Sequence, residues 1–329
     1  MVRKILFAIP VLLVIIYFAG STPSKPEWST TMPVVPQEPE ALEQYVSTQE
    51  SKHKIKPDNE ARIIWVDSTK KKTEYSVIYL HGFSASQEEG APVHIDFAKK
   101  FGCNLYLARM ADHGIDTTEQ LLNFTTDRFW ESSKEALAIG KAIGEKVIVM
   151  STSTGGTTAL VLAGDFPDDV YALINMSPNV AINDPNAWLL NNHWGLQIAR
   201  KVLGSDYINS PDTLGQKYWN NKYRLEAAVQ LQEMIESKMN DETFKKVLCP
   251  SLSLYYYKSE KEQDPTVKVS AILKMNEMLG TPESFKETVA IPEAGTHKIG
   301  SYIFSKDIKS VESEVNKFAE EKLKMKSVN

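Results

Sequence analysis

The residues best placed to do chemistry sit in one short run, Val147-Ile-Val-Met-Ser151-Thr152-Ser153-Thr154-Gly155-Gly156, which continues as Thr157-Thr158-Ala159-Leu160. An apolar, β-branched stretch passes here into a helical pattern with only small residues at the join. The same residues could simply cap a helix. As a nucleophile, a serine hydroxyl is weak, and it needs a general base and a group to orient that base. Six histidines could serve: His53, His81, His94, His113, His193 and His297. Carboxylates follow the apolar run Leu252-Ser-Leu-Tyr-Tyr-Tyr257, at Glu260, Glu262 and Asp264. His81, His94, Asp112 and His113 show neither His-x-His nor His-Glu-x-x-His spacing, so no metal and no cofactor is expected.

Stepping outward, elements must exist to hold such a serine. A chain of 329 residues, 42% apolar and 24% charged, can bury a large core. Its net charge of −5, without a long basic run, argues against a nucleic-acid partner. Cys103 and Cys249 are too few for a disulfide framework and read as buried small apolar residues. From about Ala61, short β-rich runs alternate with helical periods. The runs are Arg62–Val66, Ser76–Leu80, Asn104–Ala108, Lys146–Met150, Tyr171–Met176, Leu252–Tyr257 and Glu287–Ile291. Several are apolar nearly throughout, as strands covered on both faces are. Helices are expected over Asp127–Gly144, Gly156–Ala163 and Asp307–Lys324. This alternation predicts an α/β fold with a mostly parallel, doubly wound sheet. Between Met176 and Leu252 no convincing strand appears. Leu190, Trp194, Ile198 and Val202 are spaced by four, and a second helix is expected from Tyr223 to Met239. This interval, about 178–248, reads as a helical cap over the carboxyl edge of the sheet, where open α/β sheets bind ligands.

The N-terminus reads differently. Arg3 and Lys4 precede an apolar run from Ile5 to Ala19, broken only by Pro10. As a helix it would rise about 22 Å, short of a bilayer core of about 30 Å. Residues 1–20 therefore read as a short membrane anchor or a signal peptide, with Ala19-Gly20-Ser21 as a small-x-small cleavage site. The preceding positive charge places the rest of the chain outside the cytoplasm, anchored or, if cleaved, secreted. Five prolines between Ser21 and Glu40 make residues 21–45 an expected extended spacer, and the catalytic domain is expected from 55 to 329.

The strand–Ser151-Thr-Ser153-Thr-Gly155–helix run resembles the nucleophile elbow of the α/β-hydrolase superfamily, with Ser151 in place of the usual first glycine. The resemblance covers roughly Ala61 to Phe318 and implies a carboxylesterase or monoacylglycerol-lipase-like serine hydrolase. The superfamily's chain order of serine, acid, histidine implies His297 as the base. Its loop, Ile291-Pro-Glu-Ala-Gly295-Thr-His297, resembles the catalytic-histidine loop of esterases. Asp264-Pro-Thr-Val267 looks like the family's Asp-x-x-Val turn, so Asp264 is the implied acid, with Glu260 and Glu262 its rivals. His81-Gly82-Phe83 resembles the His-Gly-x segment of carboxylesterases. That implies oxyanion donors on the backbone N–H groups of Phe83 and Thr154, with His81 ordering the loop. Arg109-Met-Ala-Asp112-His113-Gly114 resembles a Gly-His-Gly loop of lipase-like members and reads as structural.

The expected function is hydrolysis of a small ester, such as an acyl ester, monoacylglycerol or lysophospholipid. Trp188, Trp194, Tyr218, Trp219 and Tyr223 of the cap are the expected substrate-binding aromatics. An aminopeptidase or thioesterase with the same triad is the alternative, with Glu226, Glu233 and Glu236 as candidate holders of an amine. A catalytically silent surface-binding domain is a third. Oligomeric state is open.

Overall fold

The computed structural model describes residues 2–210 and 213–328, with side chains from residue 10 onward. Seven strands form one sheet: β1 (Arg62–Ile64), β2 (Thr73–Leu80), β3 (Asn104–Leu107), β4 (Gly144–Thr152), β5 (Val170–Met176), β6 (Ser251–Tyr255) and β7 (Lys286–Ala290). Their order is β1-β3-β2-β4-β5-β6-β7. All pairs are parallel except β1 with β3. Each of the seven expected runs contributes one strand.

Burial alternates along the central strands, as the two-residue period of a strand requires. Ile78, Leu80, Val147, Val149 and Leu173 join one core, and Val77, Tyr79, Ile148, Met150 and Ile174 the other. The helices follow in chain order. They are α1 (Val2–Phe18), α2 (Pro39–Glu50), α3 (Val93–Phe101), α4 (Thr126–Ile143) and α5 (Thr154–Asp165), then α6 (Gly195–Leu203), α7 (Leu225–Lys238), α8 (Asp241–Lys246), α9 (Val269–Met278) and α10 (Ile308–Glu321). One face of the sheet is covered by α3 and α10 through Phe97, Phe101, Val311, Val315 and Phe318. The other is covered by α4, α5, α8 and α9 through residues such as Phe129, Leu137, Leu160, Phe244 and Ile272. Thr125 starts α4 by accepting the Arg128 N–H, leaving one fewer orphan donor in the first turn.

Two expectations change. First, residues 21–45 are not a free spacer. The chain is extended up to Glu38, but it lies against the domain as a strap, and α2 begins at Pro39. Trp28 is buried against Trp130 and donates to Ser237 Oγ, and Val35 is buried as well. The strap's carbonyls accept from Trp130 Nε1 at Ser29 and from Lys134 Nζ at Thr31. Proline lowers the cost of ordering an extended chain, so a few apolar anchors suffice. Second, the cap contains a short antiparallel hairpin, Tyr207–Asn209 with Lys222–Arg224. Three-residue strands are too short to show a period in sequence. No helix among the described residues is long and apolar enough to cross a membrane. The 17 residues of α1 fall short of a span, and its carboxyl end is tied to the cap by Trp194 Nε1 donating to Ile16 O and Tyr17 O.

Candidate active site

The site is built where β4 turns into α5. Ser153 occupies that turn with φ 52° and ψ −119°, a backbone conformation that non-glycine residues rarely adopt. Ser153 N–H donates to Met176 O, and its own carbonyl accepts from Gly156, Thr157 and Asn179, so neighbours on three sides fix the turn. The small residues are needed because the elbow presses on β2. A Cβ at Gly155 would lie 2.0 Å from Leu80 O, and one at Gly156 would lie 2.7 Å from Pro178 Cβ. Ser151, in the first glycine position, is tolerated because its hydroxyl donates to Asn175 Oδ1 across the sheet at 2.7 Å. Gly155→Ala is therefore expected to cost about 3 kcal/mol through overpacking against backbone that cannot yield. Thermal denaturation measures this, and a variant as stable as the parent would refute the close approach.

The candidate acid and base, Asp264 and His297, come from two later loops. Asp264, fully buried after β6, accepts the Thr266 and Val267 N–H groups at Oδ1, at 2.8 and 3.0 Å. Its Oδ2 lies 2.7 Å from His297 Nδ1, on the loop after β7. Burial alone would raise the Asp264 carboxyl, but the charge and hydrogen bond of His297, with the two backbone donors, hold it below its ordinary value. Burial alone would lower His297, but the charge and hydrogen bond of Asp264 and the charge of Glu89 lift it above the ordinary imidazole value. With Nδ1 engaged, Nε2 is the remaining ring nitrogen; it is buried and, among the described residues, bonds to no partner, the Ser153 hydroxyl included. The rival carboxylates stay outside: Glu260 and Glu262 are exposed, and Glu260 accepts from Tyr257 Oη.

The loop after β2 closes the site. A Cβ on Gly82 would sit 2.8 Å from Ser153 Cβ, so only glycine lets this loop pass the serine. The Phe83 and Thr154 N–H groups donate to no acceptor among the described residues. Thr154 also stands at the positive end of the α5 dipole. The two loop histidines are structural. His81 Nε2 accepts the Met110 N–H at 3.0 Å, and His113 Nε2 accepts the Ser84 N–H at 2.9 Å. Burial drives both toward the neutral form, His81 well below its ordinary value and His113 to about 4. Asp112 holds Arg128 through two hydrogen bonds.

The expected substrate-binding aromatics divide into two groups. Tyr223 meets Phe83 edge-on at 5.1 Å, and buried Trp219 packs against Phe304 at 5.1 Å, with Asn220 N–H bonded to Ser84 O. Trp188 and Trp194 line a separate apolar depression with Ile16, Tyr17 and Ile198, and Tyr218 bonds Asp58. Trp188 and Trp194 thus lie beside the N-terminal segment and Tyr218 beside Asp58, which a list of aromatics cannot reveal. Conversely, Glu89 went unnoticed in the sequence. It follows Gln87-Glu88, a polar run that reads as solvated charge, yet it is buried and accepts the Gly82 N–H at 2.6 Å.

No protein-family model matches the chain, and no curated protein matches it in sequence. Solved structures match it in shape. A metagenome-derived lipolytic enzyme superposes with a TM-score of 0.64 at 15% identity, over 80% of this chain and 98% of its own. This chain has the α/β-hydrolase fold. Two further α/β-hydrolases agree. The monoacylglycerol lipase of Paleococcus ferrophilus gives 0.58 at 12% identity, covering 78% of this chain and 95% of its own. Est1E of Butyrivibrio proteoclasticus, solved with ferulic acid, gives 0.53 at 18%, covering 80% and 95%. In the frame of that fold, the elbow serine, the acid after β6 and the histidine after β7 all stand at the carboxyl ends of parallel strands.

Proposed function

We propose that the chain is a serine hydrolase that cleaves carboxylic esters through an acyl-enzyme. The reading is carried by the buried Asp264–His297 hydrogen bond, taken together with the strained Ser153 elbow. Gly82 and Glu89 link the two, the first packed on Ser153 and the second acting on His297. In the proposed reaction Ser153 Oγ bonds to the acyl carbon while His297 Nε2 takes its proton. The carbonyl oxygen becomes an oxyanion held by the Phe83 and Thr154 N–H groups. Collapse breaks the ester C–O bond, and His297 returns the proton to the leaving alcohol. Water, deprotonated by the same nitrogen, then releases the acid and restores Ser153.

Phe83, Phe124 and Tyr223 meet edge-on beside the oxyanion loop, with ring centroids 5.1 Å apart in both pairs. Such a wall favours an apolar acyl group over a charged one. Lipolytic neighbours on the same fold point the same way. The aminopeptidase reading loses its proposed amine holders. Glu226 pairs with Arg200 and Arg224, Glu233 with Lys25, and both Glu233 and Glu236 accept from Asn191. A panel of chromogenic acyl esters of graded chain length, with aminoacyl amides alongside, tests the proposal. We expect short-to-medium esters to be turned over, amides to lag far behind, and a fluorophosphonate probe to label Ser153. Absence of both turnover and labelling would leave a silent binding domain as the answer.

A further inference from the structure

A second carboxylate lies at the site, and neither the triad nor the oxyanion donors account for it. Glu89 sits in a one-turn helix, Gln87–Gly90, whose first turn is capped by Ser86. Its side chain is buried, and Oε2 accepts the Gly82 N–H at 2.6 Å. A Cβ placed on Gly82 would lie 2.9 Å from that same oxygen and 2.8 Å from Ser153 Cβ, so carboxylate and nucleophile flank one peptide. The backbone around Glu89 is stitched to the histidine loop: Tyr302 N–H donates to Ala91 O, and Pro92 bridges to Ser301. Glu89 thus stands between the loop bearing the oxyanion donor and the loop bearing the base.

The choice of residue is informative. A glutamine would accept the Gly82 N–H equally well and would cost far less to bury than an ionised acid. What the acid adds is negative charge, and the groups it faces are His297 and Lys298 of the histidine loop and the Tyr79 hydroxyl of β2. We propose that Glu89 is a positioning residue of the hydrolytic site. Its carboxylate clamps the Gly82 peptide so that the Phe83 N–H keeps its aim, and it supplies a second anion that steadies the imidazolium of His297. This rests on the reading of Ser153 as nucleophile. The charged groups facing His297 are Asp264, Glu89 and Lys298, so removing Glu89 leaves one anion opposed by one lysine. His297 then becomes a weaker base, and more acid is needed before it protonates: the acid limb of the rate profile moves to lower pH.

The experiment uses the full chain with Glu89→Gln and Glu89→Ala, each normalised to Ser153 sites by fluorophosphonate titration. Glu89→Gln, which keeps the acceptor, is expected to move the acid limb of kcat/KM down by about half a pH unit or more and to lower kcat about tenfold. Glu89→Ala is expected to show the same shift with a further loss in kcat, because the clamp on Gly82 is gone. An unmoved acid limb in a folded Glu89→Gln overturns the proposal, as does a Glu89→Gln that cannot fold, since the carboxylate would then be a structural strut. A parent chain that neither labels nor turns over ester sinks the hydrolase reading itself, and the role of Glu89 with it.

Discussion

Ser153→Ala is expected to abolish ester turnover, with kcat falling by about 10⁶-fold, while the fold survives. The alanine lacks the only atom that forms the acyl bond, and neither neighbouring hydroxyl can replace it. Thr152 belongs to β4 and Thr154 opens α5, and both side chains are buried away from the turn's apex. Stability should change little or rise, because a side chain held at φ 52° contributes function rather than packing. Ester hydrolysis, probe labelling and thermal denaturation measured on one preparation check this. A variant retaining a tenth of the parent's turnover would remove Ser153 from the mechanism.

Asp264→Asn is expected to lower kcat by about 10⁴-fold, and the reason lies in how the carboxylate is held. Oδ1 is fixed by the Thr266 and Val267 N–H groups, so in the variant the amide oxygen stays there and the NH₂ faces His297. The imidazole must then accept at Nδ1, which places its proton on Nε2, the nitrogen that has to receive the serine proton. The base is lost through tautomer choice, with the shape of the site preserved. The same substitution removes the partner that raises the His297 pKa. In the parent chain, His297 is protonated up to a pH above the ordinary imidazole value, so kcat/KM falls as pH drops through that higher value. In Asp264→Asn the residual activity should persist to lower pH. A pH–rate profile of both proteins reads the shift, and coincident acid limbs would mean that another group titrates.

Much of this was legible in the sequence because it is written locally. Seven β-rich runs appeared as seven strands, since burial on both faces of a parallel sheet demands nearly continuous apolar residues. Gly155 announced the elbow because a close helix–strand approach excludes every larger side chain at that position. Residues 21–45 were harder. Proline spacing describes how an extended chain is stiffened, but not that Trp28 finds a slot between Trp130 and Ser237, more than a hundred positions away.

The sequence by itself determined the alternation of strands and helices and the small-residue turn that strains Ser153; the order in which an acid and a histidine follow it was implied by the resemblance to the superfamily. The alternation and the turn depend on backbone sterics and on periodicities of a few residues, which any short window of the chain contains. The tertiary structure alone decided that Asp264 rather than Glu260 meets His297, and that Trp219 and Tyr223 rather than Trp188 and Trp194 come to the oxyanion loop. It also decided that Glu89 is buried beneath Gly82. A residue's polarity says whether it tolerates burial; which groups surround it there depends on how distant loops meet at the edge of the sheet.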